Sequence, residues 1–177
     1  MSGGESKTGD AHGDGKLAEL YEKLSDKTKE FYAESSEKSL AALETALEKA
    51  RVGLEKAGEL SRQEGQKLKL FVRRDLEQAA AKMKGLGAQT RDQVVEPAIN
   101  KAEEGFFSLT HHLAHNASEA FARLADWADT SSVYHTGQVT SAGTLRCLSC
   151  GKEMQFKKTA NIPPCPSCHK TDFERAH

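Results

Sequence analysis

Two closely spaced cysteine pairs near the carboxyl end constrain the fold of this chain more than any other feature of its sequence. Cys147 and Cys150 form the first pair, Cys165 and Cys168 form the second, and fourteen residues separate the two pairs. A Cys-x-x-Cys pair folds as a tight turn with both sulfurs on one side. Two such turns can bring four thiolates together tetrahedrally, as zinc prefers in structural sites. The spacing therefore predicts one structural Zn²⁺ per chain.

Other chemistry uses the same four sulfurs. Iron in a rubredoxin-like centre has an identical ligand set, so iron stays open as the less favoured alternative to zinc. Two disulfides conflict with the lack of a secretion signal, because cytosolic thiols stay reduced. A c-type haem at Cys165–His169 matches the attachment pattern but leaves the first cysteine pair unexplained.

The cysteines lie in a segment whose composition favours short strands and turns. Residues 131–177 hold Val, Tyr, Leu and Phe among Thr, Ser and Gly, together with three of the four prolines. A hydrophobic core alone is barely sufficient for a segment of about 47 residues, so metal binding and folding should be coupled. We predict a separate small β zinc ribbon with rubredoxin-like knuckles, in which Gly151 tolerates a positive φ.

Residues 16–130 have the composition of a helical domain, rich in Ala, Leu, Glu and Lys. An apolar seam recurs there at spacings of three and four, consisting of Leu40, Leu43, Leu47, Ala50, Leu54 and Ala57. Such a heptad seam predicts a coiled-coil contact. One helix over residues 17–84 would be about 100 Å long. We therefore expect an antiparallel helical hairpin or pairing with a second copy.

Signals for helix ends divide this helical domain. Gly58 suits a left-handed helix end, and Ser61 with Glu64 is typical of a capping box that opens a second helix, although one continuous helix stays open. Gly85 and Gly87 end the second helix, and Pro97 lies in the first turn of a third or kinks it. The inward faces of these helices are Leu68, Phe71, Val72, Leu76, Ala79 and Met83, then Ile99, Phe106, Leu109, Leu113, Phe121 and Leu124.

Charge and composition differ along the chain. Residues 1–15 are rich in Gly and polar residues, which predicts a disordered leader. The ribbon segment has six basic and three acidic residues, a formal charge of plus three, within a net charge of −1 for the whole chain. Four thiolates around one zinc ion leave the ribbon at about plus one, too weak a field to argue by itself for tight nucleic-acid binding. The predicted fold class is α+β, a helical hairpin or coiled coil followed by a zinc ribbon.

A group of ribbon residues is a candidate contact for nucleic acid or a partner: Lys152, Phe156, Lys157, Lys158 and Lys170. Lysine ammonium groups bind phosphate, and an aromatic ring can stack on a base. A solvated strand end or loop is the commoner explanation of such residues.

Two helical clusters also carry candidate chemistry. His111 and His115, with His112 between them, fall on one helix, where they form either a second metal site or a surface without a ligand. Arg73-Arg74-Asp75 predicts an exposed ion pair within a helix, with an anion or partner contact as the alternative. The chain has no zinc-protease, phosphate-loop, dinucleotide-loop or hydrolase-elbow motif, so we expect no enzyme.

Apolar runs in this chain are short. None reaches about 18 residues, the length that spans a membrane, and Met1–Gly15 holds no signal-peptide core. We therefore expect a cytoplasmic protein without a membrane span.

Three stretches carry a family resemblance: residues 56–64, 72–77 and 133–147. They resemble an uncharacterised bacterial family of zinc-ribbon-containing proteins, with an N-terminal helical region and a C-terminal ribbon. The resemblance covers most of residues 17–177 and is most specific over 134–168. It implies a zinc ribbon on the four cysteines, a cytoplasmic bacterial setting and no assigned activity.

The saturated metal site and the heptad seam together predict a non-enzymatic zinc-binding interaction or regulatory protein. Its partner would be another protein, or a second copy through the helices. Two alternatives belong to other classes. One is a nucleic-acid- or transcription-associated protein that binds through the ribbon face, and the other is a rubredoxin-like iron electron-transfer module.

Overall fold

The computed structural model describes residues 11–85, 105–116, 118–128 and 132–176. The described residues form five helices, α1 (Ala11–Glu34), α2 (Leu40–Lys56), α3 (Arg62–Gly85), α4 (Gly105–Asn116) and α5 (Ser118–Trp127). Six short strands follow, β1 (Tyr134–His135), β2 (Val139–Thr140), β3 (Gly143–Cys147), β4 (Glu153–Phe156), β5 (Ala160–Asn161) and β6 (Asp172–Arg175). The α+β fold class predicted from the sequence is confirmed.

The first helix starts earlier than the composition predicts. α1 begins at Ala11, inside the segment 1–15 that we expect to be a disordered leader. Extending an existing helix costs little, because each added residue gains one backbone hydrogen bond. The predicted boundary therefore moves to Ala11, and residues 1–10 lie outside the described residues.

A break that the sequence analysis does not predict separates α1 from α2. The Lys38 ammonium donates to three carbonyl oxygens at the end of α1, at 2.8, 2.9 and 2.9 Å, where the helix dipole favours a cation. Ser39 then caps α2, since its backbone is extended and its Oγ accepts from the Ala42 N–H at 3.2 Å. The chain folds back here, so no 100 Å helix forms.

The break predicted after Ala57 is confirmed. Gly58 adopts a φ of +73°, the left-handed helix end that glycine favours. The Ser61 N–H donates to Glu64 Oε2 at 2.9 Å and the Glu64 N–H donates to Ser61 Oγ at 3.2 Å, which is the predicted capping box.

The apolar faces of the helices meet in one core. α1 packs against α2 and α4, and α3 packs against α2 and α5. Leu43, Leu47, Ala50 and Leu54 of the seam are buried in this core, so the chain's own helices cover the seam. The predicted Ile99 and Pro97 lie outside the described residues. None of the described helices is both long and apolar enough to cross a membrane.

The strands form two small antiparallel sheets. One has the order β1-β6-β3-β4 and the other pairs β2 with β5. Tyr134, Leu145, Ile162 and Phe173 form a ribbon core with the buried cysteines. Val139 of β2, by contrast, is buried in the helical core. The ribbon predicted as a separate module therefore has its own core but is seated on the helices.

Candidate metal centre and its seat on the helices

The two cysteine pairs form equivalent turns. In the first, the Cys147 N–H donates to the Lys152 carbonyl and the Gly151 N–H donates to the Cys147 carbonyl, both at 2.9 Å. In the second, the Cys165 N–H donates to the Lys170 carbonyl at 2.9 Å. The N–H of His169 completes that turn by donating to the Cys165 carbonyl at 2.9 Å. The repeated pattern is the pair of knuckles that the spacing predicts.

Each knuckle ends in a left-handed residue. Gly151 has a φ of +72° and His169 has a φ of +58° at the corresponding position of the second turn. Glycine adopts this conformation without a steric penalty, whereas a residue with a Cβ is strained there. Gly151 confirms the sequence prediction, and His169 places strain directly after Cys168.

The four sulfurs lie at the separations of a tetrahedral site. All four ligand atoms are within 4.8 Å of one another, and Cys147 Sγ is 3.6 Å from Cys168 Sγ. Cys150 Sγ is also 3.6 Å from Cys165 Sγ. A zinc ion with four Zn–S bonds of about 2.3 Å requires sulfurs about 3.8 Å apart. The observed separations are too long for a disulfide, and they fit a four-sulfur metal site.

The thiols titrate unequally in this arrangement. Burial opposes ionisation of Cys165, but the backbone N–H groups of Cys168 and Ser167 lower the pKa of the Cys165 thiol to about 6. The Lys170 backbone favours the Cys168 thiolate, yet burial and the neighbouring sulfurs raise the pKa of Cys168 to about 12. Four adjacent thiolates repel one another, so a bound cation is what allows all of them to ionise near neutral pH.

The candidate contact residues lie at two places on the ribbon. Lys152 and Lys170 are exposed and directly follow the two knuckles. Phe156 ends β4 and packs against the ribbon core, which leaves its ring only partly exposed. Lys157 and Lys158 follow it, and Lys158 lines a cleft against α1. Five residues of strand span about 17 Å. Lys152 precedes β4 and the pair at 157 and 158 follows it, so the two groups lie at opposite ends of that strand.

The histidine cluster does not form a metal site with the described residues. The rings of His111 and His115 lie 4.4 Å apart, and burial together with His115 lowers the pKa of His111. The His112 ring packs edge-on against Tyr32 instead. Among the residues that the structure describes, only the four cysteines bring three or more ligand atoms together.

Asp75 lies in the protein interior, although its sequence context predicts an exposed position. Arg73 pairs with Glu77 at 2.9 Å, outside the predicted triplet. Arg74 Nε pairs with Asp75 Oδ1 at 3.0 Å, but that ion pair is not exposed, because the Asp75 side chain is fully buried. Its carboxylate accepts hydrogen bonds from Tyr21 Oη at 3.0 Å and Tyr134 Oη at 3.1 Å. Burial and the Asp75 charge raise the pKa of both tyrosines, so both hydroxyls stay protonated donors.

A signal for Asp75 was present in the sequence. Leu68, Val72 and Ala79 follow the apolar stripe of α3, and Asp75 falls on the same stripe between them. A carboxylate on a buried stripe must find hydrogen-bond donors, because an unpaired buried charge is costly. The sequence does not show that one of those donors comes from the ribbon.

Comparisons with known proteins extend the similarity beyond the cysteines. A family model described as "Zinc-ribbon containing domain" matches residues 30–177. "Uncharacterized protein YbeL" of Escherichia coli (strain K12) is 29% identical over 119 residues, which are 67% of this chain and 72% of that protein. The proteins of the same description from Escherichia coli O6:H1 and O157:H7 match equally. No solved structure matches. The matched span includes α2 and α3 as well as the ribbon.

Proposed function

This chain belongs to the zinc-ribbon containing domain family, and we propose that it is a non-enzymatic interaction or regulatory protein stabilised by one structural zinc ion. Cys147, Cys150, Cys165 and Cys168 hold the ion. The ribbon is the recognition element for a protein partner, and the helices are its support. We place the protein in the bacterial cytoplasm, because its relatives are bacterial and four free thiols persist in a reducing compartment.

The observation that carries this proposal is the saturation of the metal site. Four sulfurs surround one position, and zinc in such sites is four-coordinate. Catalytic zinc sites differ, because they keep one position open for water or substrate. The ion therefore supplies folding free energy and leaves recognition to the protein surface.

An exposed apolar residue marks the surface that we assign to the partner. Leu148 lies inside the first knuckle, between two metal ligands, and is 48% exposed. Its backbone is fixed, since the Leu148 N–H donates to the Asp172 carbonyl at 3.0 Å. An apolar side chain on a hydrogen-bonded backbone, four positions before exposed Lys152, suits a protein partner, because that backbone loses little conformational entropy when it binds.

Photo-crosslinking in cells tests this assignment. A photoreactive residue at position 148 should give a discrete adduct with one partner, whereas the same residue at exposed Lys27 of α1 should not. Added wild-type protein should compete with the photoreactive protein for that partner. Added Leu148→Ser protein with unchanged zinc content should not compete. Equal background adducts from both positions would contradict the proposal.

Nucleic-acid binding is the second candidate, favoured by the equivalent positions of Lys152 and Lys170. Both side chains are exposed and follow corresponding metal ligands, so the two charges lie beside the same site. Binding of RNA or DNA through them should weaken steeply as salt rises, because phosphate contacts release counterions. Lys152→Gln with Lys170→Gln should reduce that salt slope. Affinity that is independent of salt would exclude this candidate.

A further inference from the structure

One face of the ribbon is seated on the helices through residues 134–141, here called the docking segment. The buried Asp75 carboxylate accepts from the Ser141 N–H at 2.7 Å and from Tyr134 Oη at 3.1 Å. Thr140 Oγ1 lies 3.4 Å from the same carboxylate. Three groups of the docking segment therefore converge on a single side chain of α3.

Arg74 holds the same segment from the adjacent position of α3. Its guanidinium lies 3.7 Å from the centre of the Tyr134 ring, in a cation–π contact. It also donates to Gln138 Oε1 at 2.7 Å and to the Val139 carbonyl at 3.0 Å. Val139 itself is fully buried in the helical core. The contact between the docking segment and the helices is therefore both polar and apolar. Because each partner is a particular residue, the docking segment can bind in only one alignment.

The docking segment is connected to the metal ligands by one row of the sheet. Cys147 of β3 pairs with Phe173 of β6, and Phe173 pairs with Tyr134 of β1. All three side chains are buried in the ribbon core. A metal ligand and the hydroxyl that reaches Asp75 thus occupy neighbouring positions across three strands.

The second knuckle is connected to the docking segment from both sides. Before the knuckle, Ile162 forms two backbone hydrogen bonds with the docking segment. Its N–H donates to the Gln138 carbonyl and its carbonyl accepts from the Gly137 N–H, each at 2.8 Å. After the knuckle, the Thr171 carbonyl accepts from the Thr136 N–H at 2.9 Å. The position of the docking segment therefore depends on strands and turns that the metal ligands hold together.

We propose that metal occupancy at the four cysteines controls the seating of the docking segment on α1 and α3, so that the ribbon is a metal-dependent cover over Tyr21 and Asp75. A ribbon of this size depends on its metal to fold. When the metal leaves, the row from Cys147 to Tyr134 is no longer fixed. The helical core keeps its own contacts, including the hydrogen bond from Tyr21 to Asp75, but it loses Val139 and the donors that the docking segment supplies to Asp75.

Thermodynamic linkage makes this proposal testable from the helical side. If the metal favours docking, docking must favour the metal by the same factor. Asp75→Asn on α3 should therefore weaken zinc binding at cysteines that it does not contact. We expect a loss of about 5- to 150-fold, the range of typical coupling between sites.

The experiment uses the full chain and zinc as the probe, in competition with a chromophoric chelator. Asp75→Asn is compared with Glu77→Gln, which also changes a carboxylate of α3 to an amide. Glu77 is a suitable control because it pairs with Arg73 of the same helix. Tyr134→Phe is the milder second variant, in case Asp75→Asn loses its helical circular dichroism. Hydrogen exchange of residues 134–141 is measured with zinc, with a chelator, and after zinc is restored.

We expect weaker zinc binding for Asp75→Asn and Tyr134→Phe, wild-type binding for Glu77→Gln, and reversible loss of protection in the docking segment. Equal zinc affinity in all variants, or protection that survives zinc removal, would overturn the inference. The inference rests on the metal site of the proposed function but not on its partner. A wild-type chain that binds no zinc would defeat both, whereas zinc binding without coupling would defeat the inference alone.

Discussion

Gly105 lies so close to Glu22 that a side chain at position 105 has no room. A Cβ built on Gly105 would be 2.3 Å from the Glu22 carbonyl oxygen and 2.7 Å from Asp26 Cγ. The short distance between the two helices also allows the Phe106 N–H to donate to Glu22 Oε2 at 2.7 Å. The absence of a side chain at Gly105 therefore sets the distance between α4 and α1.

Replacing this glycine should destabilise the helical domain. Gly105→Ala forces a backbone to move, and overpacking of this kind costs about 1–3 kcal/mol. Gly53→Ala is the matched control, since its added Cβ meets nothing within 4 Å in the interior of α2. There alanine should stabilise by about 0.5–1 kcal/mol. Chemical denaturation of the zinc-loaded chain measures both, and equal effects would contradict the packing described for α4.

The two left-handed knuckle residues should respond to substitution with opposite signs. Gly151→Ala introduces a Cβ at a φ of +72° and should cost about 1–2 kcal/mol. His169→Gly removes a Cβ at a φ of +58° and should gain up to about 1 kcal/mol, because the relieved strain of about 1–2 kcal/mol exceeds the entropic cost of glycine of about 0.5–1 kcal/mol. Because ribbon folding and metal binding are linked, zinc competition should show weaker binding for the first variant and tighter binding for the second. Tighter binding by Gly151→Ala would refute the assigned turns.

The helical domain should carry an acid-sensitive ion pair at Glu48. Hydrogen bonds from Arg51 and from Lys69, the latter at 2.7 Å, lower the pKa of Glu48 from 4.5 to about 2. A carboxyl group whose pKa is lowered in the folded state stabilises the fold at a pH above its unfolded-state pKa. This stabilisation is lost as the pH falls toward the folded-state pKa. The melting-temperature difference between wild type and Glu48→Gln should therefore shrink between about pH 4.5 and pH 2. An NMR titration of Glu48 near 4.5 would contradict the pairing.

Local signals predicted much of this fold. The cysteine spacing predicted which four sulfurs the fold brings together, and the residue types around Gly58, Ser61 and Glu64 predicted a helix boundary with its hydrogen bonds. The capping box and each Cys-x-x-Cys turn depend on neighbours within a few residues, so the sequence contains the whole of these interactions. The apolar spacing of α2 and α3 likewise identified buried faces.

Long-range contacts were not predicted. The heptad seam does not reveal which helix covers it. No glycine marks the break before Ser39, whereas Gly58 marks the break after α2. Asp75 looked like part of a charged surface because its donors, Tyr21 and Tyr134, are 54 and 59 positions away. Only the folded topology brings these groups together, and the seat of the ribbon follows from it.

The metal itself is the most direct test of this account. Full-length chain expressed without added metal should contain one zinc per chain and no visible colour. X-ray absorption at the zinc edge should show four sulfur neighbours at about 2.3 Å. A red sample with one iron per chain would move the protein to redox chemistry, and zinc with nitrogen or oxygen ligands would contradict the four-cysteine site.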